Sequence, residues 1–283
     1  MVERQVALVT GASSGFGLLT VIELAKAGYQ VIATMRNLDK QGPLLEQAEK
    51  EQVRNQIVVW PLDVTDRAHI IRIPQKISET FQRLDVLVNN AGVSMGGFSE
   101  EISEQDWRTS METNFFGVVF LTQACLPIMR QQQRGKIINI SSVGGVVAFP
   151  GYSPYSASKF ALEGFSESLR LEVAVYGIDV VLVEPGAYRT EIWSKGFSHI
   201  EHTSQADSPF RQPMQAVVSF GKLLTRQADQ PIAVAKKIVL ITQKRKPRLR
   251  YAMGKGAALA IALKSLLPWK IFEAVIIKQI HKK

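Results

Sequence analysis

Tyr155 and Lys159 stand four residues apart in Tyr155-Ser156-Ala157-Ser158-Lys159. At that spacing a phenol and an ammonium share one face of a helix. A free phenol, with a pKa of about 10, is too weak a base near neutrality, and a neighbouring ammonium favours the phenolate and lowers that value. The pair is therefore expected to move a proton while a hydride moves elsewhere. Tyr155 would be the base in alcohol oxidation and the acid in carbonyl reduction. The opposite end of this chemistry is Thr10-Gly11-Ala12-Ser13-Ser14-Gly15-Phe16-Gly17. Glycines there let the backbone turn tightly and approach a pyrophosphate, while the N-terminus of a following helix offers free N–H groups to its charge.

The elements that position these groups alternate along the chain. Residues 5–10, 30–35, 57–62, 84–89, 136–141 and 178–184 read as short, continuously apolar strands, and residues 15–28 as a helix closed by Gly28. Such strands imply burial on both faces, hence a parallel sheet covered by helices: an α/β, doubly wound fold of Rossmann type in a single domain. The glycine turn follows a strand and opens a helix, the context a dinucleotide fingerprint requires.

At this point the chain resembles the short-chain dehydrogenase/reductase family, over about residues 5–190. The motifs that carry the likeness are Thr10-Gly11-x-x-x-Gly15-x-Gly17, Asn89-Asn90-Ala91-Gly92, Asn114-x-x-Gly117, Ser142 with Tyr155-x-x-x-Lys159, and Pro185-Gly186 followed by Thr190. Phe16 replaces a usual aliphatic residue and Tyr188 stands where a branched aliphatic is common. The resemblance implies a catalytic set of Asn114, Ser142, Tyr155 and Lys159. Ser142, thirteen residues before Tyr155, is preferred over Ser141 as the group that hydrogen-bonds the substrate oxygen, with Tyr155 beside it. Lys159 would also bond the nicotinamide ribose, and Asn114 would hold a water on the proton path. The nucleotide would be held by Gly11, Ser13, Ser14, Gly15, Phe16, Gly17, Asp63, Val64, Asn90, Ala91, Gly92, Tyr155, Lys159, Pro185, Gly186 and Thr190. Asp63 would accept from the adenine amino group; its rival role is to cap the helix that begins near Asp66. The branch that the segment after Tyr155 is similar to includes hydroxysteroid and retinol dehydrogenases, which favours an apolar alcohol or ketone.

The choice of nucleotide rests on Thr34-Met35-Arg36. An acid at the end of the second strand would bind ribose hydroxyls and repel a phosphate. Arg36 is instead suited to a phosphate, so NADP(H) is expected over NAD(H).

With 46% hydrophobic residues in 283, a sizeable core can be buried. The single cysteine, Cys125, sits in an apolar run and reads as a core residue; no internal disulfide is available, which fits a reducing compartment. His69, His199, His202 and His281 show no ligand spacing, so no metal is expected. The net charge of +9 concentrates late, in Lys244, Arg245, Lys246, Arg248 and Arg250 and at the C-terminus, without any nucleic-acid reader motif. Residues 187–213 look loop-like, and a substrate lid is expected over about 187–225 of a catalytic domain spanning 1–250. Phe149, Tyr152, Tyr188, Trp193, Phe197 and Phe210 are candidates to line an apolar cleft. Residues 251–283 form an apolar, basic helical extension. It is expected to pack on the domain or another subunit first, and to touch an anionic membrane surface second. The expected partners are a small alcohol or ketone and a second copy, as homodimer or homotetramer. The expected location is cytoplasmic, with membrane-peripheral contact as the alternative. The competing functional reading is a nucleotide-binding sensor without turnover.

Overall fold

The computed structural model describes residues 4–191, 196–200, 208–226 and 228–280, apart from the side chains of Gln279 and Ile280. Seven parallel strands form one sheet: β1 Val6–Val9, β2 Gln30–Met35, β3 Ile57–Pro61, β4 Val86–Asn89, β5 Gly135–Ile140, β6 Ile178–Pro185 and β7 Arg250–Met253, in the order β3-β2-β1-β4-β5-β6-β7. Helices α1 Gly15–Lys26, α2 Gly42–Lys50, α3 Arg67–Phe81, α4 Glu104–Met111, α5 Gly117–Gln132 and α6 Ser153–Val173 alternate with the strands. The described part of the chain continues with α7 Arg211–Arg226, α8 Ile232–Gln243, α9 Ala257–Leu266 and α10 Trp269–Ile280.

Side-chain alternation along the strands feeds two cores. Ala7 and Val9 join Val21 and Leu24 of α1 and Val234, Ile238 and Ile241 of α8 on one face. Val6 and Leu8 join Ile70, Ile73 and Ile77 of α3 and Leu121, Cys125 and Met129 of α5 on the other. Every residue of β1 and β4 is buried, as double coverage demands. Burial pushes the Cys125 thiol up to about 12, consistent with a core residue. β2 and β4 flank β1 on opposite sides, so the connection direction reverses there. A crevice at the carboxyl ends of the strands at such a switch point is where α/β sheets take ligands.

Two sequence expectations change. β7 was hidden inside the basic cluster because it is a partly exposed edge strand without an apolar run, pairing Leu182–Pro185 with Arg250–Met253. The expected loop of residues 187–213 is in part helical. Residues 196–200 form a short helical segment, and Arg211 and Pro213 already belong to α7, whose Met214, Val217 and Val218 are buried.

Candidate active site

The glycine turn is locked to the loop after β4 through Thr10. Its hydroxyl accepts from the backbone N–H of Asn90 and of Ala91, both at 2.9 Å, and the Asn90 side chain returns a bond to Thr10 O at 2.8 Å. Gly11 has φ +67°, and a Cβ there would stand 2.8 Å from the Ala91 Cα. At Gly17 a Cβ would overlap the Gly11 carbonyl, so only glycine lets α1 pack on its own turn. Ser14 precedes α1 in extended conformation without capping it, and no acid occupies the first turn. The positive end of α1 and its N–H groups thus remain open to an anion. Ser13, Ser14, Gly15 and Phe16 are partly exposed around this opening, and Thr190 stands beside Gly15, 3.9 Å from where a Cβ would be. Gly186, after Pro185, is tied to β7 by its N–H to Met253 O at 2.8 Å. These features fit a dinucleotide pyrophosphate: a backbone cradle that side chains would fill, at an uncapped helix start.

Arg36 follows β2 at the carboxyl edge, exposed and without an ion-pair partner among the described residues. Asp63 accepts from Thr65 N (3.0 Å) and Thr65 Oγ1 (2.8 Å) in a local turn. The cap of α3 is Asp66, which accepts from Ala68 N at 2.8 Å, so the rival role weighed for Asp63 falls to its neighbour. Val64 is buried beneath Gly117, where a Cβ would meet its carbonyl at 2.7 Å. That close approach accounts for the glycine in Asn114-x-x-Gly117.

On the chemical side, Tyr155 and Lys159 lie in the first turns of α6, just after Pro154. Ser142 follows β5; its Oγ accepts from Gly144 N at 3.0 Å. A Cβ on Gly144 would lie 3.4 Å from that Oγ and 3.2 Å from the Tyr155 ring, so the serine and the phenol flank one glycine. Ser141 is instead buried beside Glu163. Lys159 is buried, and its Nζ donates to Ile140 O at 2.8 Å. Burial lowers its pKa to about 8, opposed by the Glu163 carboxylate.

The chain's own groups do not acidify the phenol by themselves. Burial raises the Tyr155 pKa above its ordinary value, and only a hydrogen bond with Ser142 works against that. The lysine nitrogen is 5.8 Å from the ring centroid and anchored to the end of β5. Of the two influences on the phenol, burial and the Ser142 bond, burial is the larger.

Asn114 is fully buried in a π-helical turn, Glu112–Phe116, between α4 and α5. Such single turns often mark functional sites. Its Oδ1 accepts from Val93 N (2.8 Å), and its Nδ2 donates to Val93 O (2.9 Å) and Ser158 Oγ (3.0 Å). The amide clamps the loop after β4 to the residue next to Lys159, which leaves one lone pair on Oδ1 for a water. Gly92 sits between the two groups: a Cβ there would be 3.1 Å from Asn114 Oδ1 and 3.8 Å from Lys159 Nζ.

Two buried polar groups were not anticipated. Asn89 donates to Asn139 (2.8 Å) and Thr122 (3.1 Å), and Asn139 donates to Ser166 (2.9 Å), a satisfied network pinning β4, β5, α5 and α6. Arg250, counted in the late basic cluster, reaches Glu163 (3.0 Å) and Glu184 (3.1 Å), both buried, and Glu167 (2.6 Å). The i, i+4 step from Lys159 to Glu163 was visible in the sequence; the partner strand was not.

The aromatic set divides. Tyr188 is a core residue at 2% exposure, edge-on to Phe16 at 5.4 Å, and does not line a cleft. Phe197 is buried with Ile200, Met214 and Val218, packed against Tyr152 and Phe98, and Phe210 stacks on Phe98 at 4.9 Å. Phe149 packs against Val143 and Val147 near Ser142. His199 is a latch between residues 196–200 and the body, reaching Gly96 O (2.8 Å) and Asp106 (3.1 Å). Trp193 and His202 lie outside the described residues.

A nucleotide cradle at a switch point, faced by serine, tyrosine and lysine, is the arrangement of a nicotinamide-dependent oxidoreductase. Residues 5–201 match the family model described as short chain dehydrogenase, and the chain belongs to the short-chain dehydrogenase/reductase family, acting on CH–OH groups. It is 41% identical over 278 residues to the uncharacterized oxidoreductase YusZ of Bacillus subtilis, covering 98% of this chain and 99% of that one. It is 36% identical over 271 residues to retinol dehydrogenase 8 of Bos taurus, covering 92% and 85%. Among solved structures, a short-chain dehydrogenase from Streptomyces avermitilis superposes with a TM-score of 0.78 at 35% identity, over 97% of this chain and 95% of that one. A short-chain dehydrogenase/reductase from Burkholderia phymatum in complex with NAD gives 0.78 at 25% identity, over 93% and 94%. The structure of ElxO with NADP bound gives 0.70 at 30% identity, over 85% and 92%.

Proposed function

We propose that this protein is an NADP(H)-dependent reductase or dehydrogenase interconverting an apolar ketone or aldehyde with its alcohol. The observation that carries the reading is the convergence of Ser142, Tyr155 and Lys159 beside the glycine cradle. A bound nicotinamide supplies or accepts the hydride. The chain's own residues do the rest. Ser142 holds the substrate oxygen as charge develops on it. Tyr155 gives that oxygen a proton in reduction and removes it in oxidation. Lys159 fixes the nicotinamide ribose and, once charged, stabilises the phenolate. Asn114 is a positioning residue, clamping Ser158 beside Lys159 and presenting its remaining lone pair to a water. Gly11 to Gly17, Asn90, Ala91, Gly92, Pro185, Gly186 and Thr190 line the nucleotide, with Asp63 and Val64 at its adenine end.

NADP(H) is preferred because Arg36 is exposed where an adenosine 2′-phosphate would lie and no acid replaces it. The solved neighbours hold either nucleotide and leave that choice to Arg36. An apolar substrate is favoured by the retinol named for a relative. We assign the protein to a homo-oligomer in the reducing cytoplasm, in keeping with its single buried thiol.

The test is Tyr155→Phe, assayed by NADPH consumption across a panel of ketones. The variant should bind NADPH as the parent does and lose turnover by roughly 10²–10⁴. Undiminished turnover would remove Tyr155 from the chemistry, and a parent with nucleotide binding but no turnover on any ketone or alcohol would favour the sensor reading.

A further inference from the structure

Helices α9 and α10 are apolar on both sides. Their inner face, with Ala257, Ala260, Ile261, Leu267, Phe272 and Ile276, packs on Val143, Val146, Val147 and Phe149, the loop that begins at Ser142. Lys264 adds a bond to Val146 O at 3.1 Å. Their outer face should then be polar, as on an ordinary surface helix. It is not: Leu259, Leu263, Leu266, Trp269, Ile271, Val275 and Ile277 are all exposed, Leu266 by 80%. Isolated exposed leucines are normal, but a contiguous stripe at i, i+4, i+7 running into a second helix needs a cover.

Charge selects the cover. Across residues 255–278 the chain has Lys255, Lys264, Lys270 and Lys278 against the single acid Glu273. Lys255, Lys270 and Lys278 are exposed. Two copies meeting through this face would bring like charges together, whereas an anionic lipid surface complements them. Trp269, 60% exposed and with Lys264 over its ring at 5.6 Å, has the amphipathic character of a headgroup-level anchor. No helix among the described residues is long and apolar enough to cross a membrane, so the segment would lie in the interface.

We propose that α9 and α10 seat the protein on anionic phospholipid, with the Ser142 loop directly behind them. The site then opens beside the acyl chains, and an apolar substrate reaches Tyr155 from the bilayer. That last step rests on the proposed function; the seating itself does not.

The experiment is flotation of the full chain with vesicles of mixed phosphatidylcholine and phosphatidylglycerol against pure phosphatidylcholine, at low and high salt. Flotation with the anionic vesicles should exceed that with neutral ones by at least roughly tenfold, and high salt should reduce it. Leu266→Glu with Ile277→Glu, both at exposed positions, should abolish it while leaving NADPH consumption on a soluble ketone unchanged. Equal recovery with both vesicle types, or flotation surviving in the double variant, overturns the seating. So does a parent dimer that this variant splits into monomers. Flotation needs no turnover, so an inactive parent that floats sinks only the proposed function, and an active one that stays in solution sinks only this inference.

Discussion

Replacing Glu184 by glutamine should make the protein more stable at alkaline pH and nearly indifferent at acid pH. Glu184 and Glu163 are both buried and share one guanidinium, Arg250, at 3.1 and 3.0 Å. The third partner, Glu167, is exposed. Two buried carboxylates drawn to one guanidinium each disfavour the other's charged form, and a shared proton relieves that repulsion. Burial, then the neighbouring Glu163, push the Glu184 carboxyl from 4.5 to about 7, and Glu163 moves in the same direction for the same first reason. The folded state therefore holds a proton that the unfolded chain releases. Between pH 4.5 and about 7 the native state binds more protons than the unfolded one, so stability falls as pH rises. At about 1.4 kcal/mol per pH unit that interval is worth about 3 kcal/mol. The benefit is complete below 4.5 and is lost as pH climbs through 7.

The amide in E184Q keeps the shape of the protonated acid, and a hydrogen-bond donor, without the titration. Urea unfolding of parent and E184Q, from about pH 5 to about pH 8, should show curves that nearly coincide at the acid end and diverge by about 3 kcal/mol at the alkaline end. E163Q should reproduce the divergence, because the proton belongs to the pair. Parallel curves for both variants would refute the shared proton. The same charge bears on catalysis, since the Glu163 carboxylate supports the protonated form of Lys159.

Other consequences are more local. Arg36→Ala should raise the KM for NADPH roughly 10- to 150-fold, the worth of a lost charged hydrogen bond, while leaving that for NADH nearly unchanged; equal effects on both would remove Arg36 from phosphate recognition. Gly17→Ala would press a methyl onto the Gly11 carbonyl and to 2.5 Å from Asn90 Nδ2. It should cost about 1–3 kcal/mol in thermal or urea unfolding and abolish nucleotide binding in a fluorescence titration. A double-mutant cycle of Phe16→Leu and Tyr188→Leu should return a coupling of about 0.5–1.5 kcal/mol from their edge-on contact, and additive losses would count against it.

That last pair shows where sequence reading stopped. Phe16 and Tyr188 were each visible as departures from the family pattern, but as separate curiosities 172 positions apart. Folding puts them in contact at 5.4 Å, where one departure accommodates the other. Tyr188 thereby leaves the list of cleft residues, because an aromatic beside the cofactor turn can serve the core as readily as the ligand.

The same distinction separates the rest. Strands β1 to β6 were legible because burial on both faces leaves only apolar residues, and the glycine turn because backbone crowding tolerates nothing larger. Position in sequence therefore carried the glycine turn and brought Ser142, Tyr155 and Lys159 into one neighbourhood. β7 was illegible because an edge strand needs no apolar run, and Arg250 with it, since basic residues in solvent and in a buried ion cluster read alike. The charge on Tyr155 is hard to read from spacing for a related reason. Spacing places an ammonium on the same helix face, but not where its nitrogen goes, and Ile140 O holds it 5.8 Å from the ring while the pocket withdraws water from the phenol. Desolvation is a property of the assembled site, so residue types on a helix face say which groups come together but not the charge they carry there.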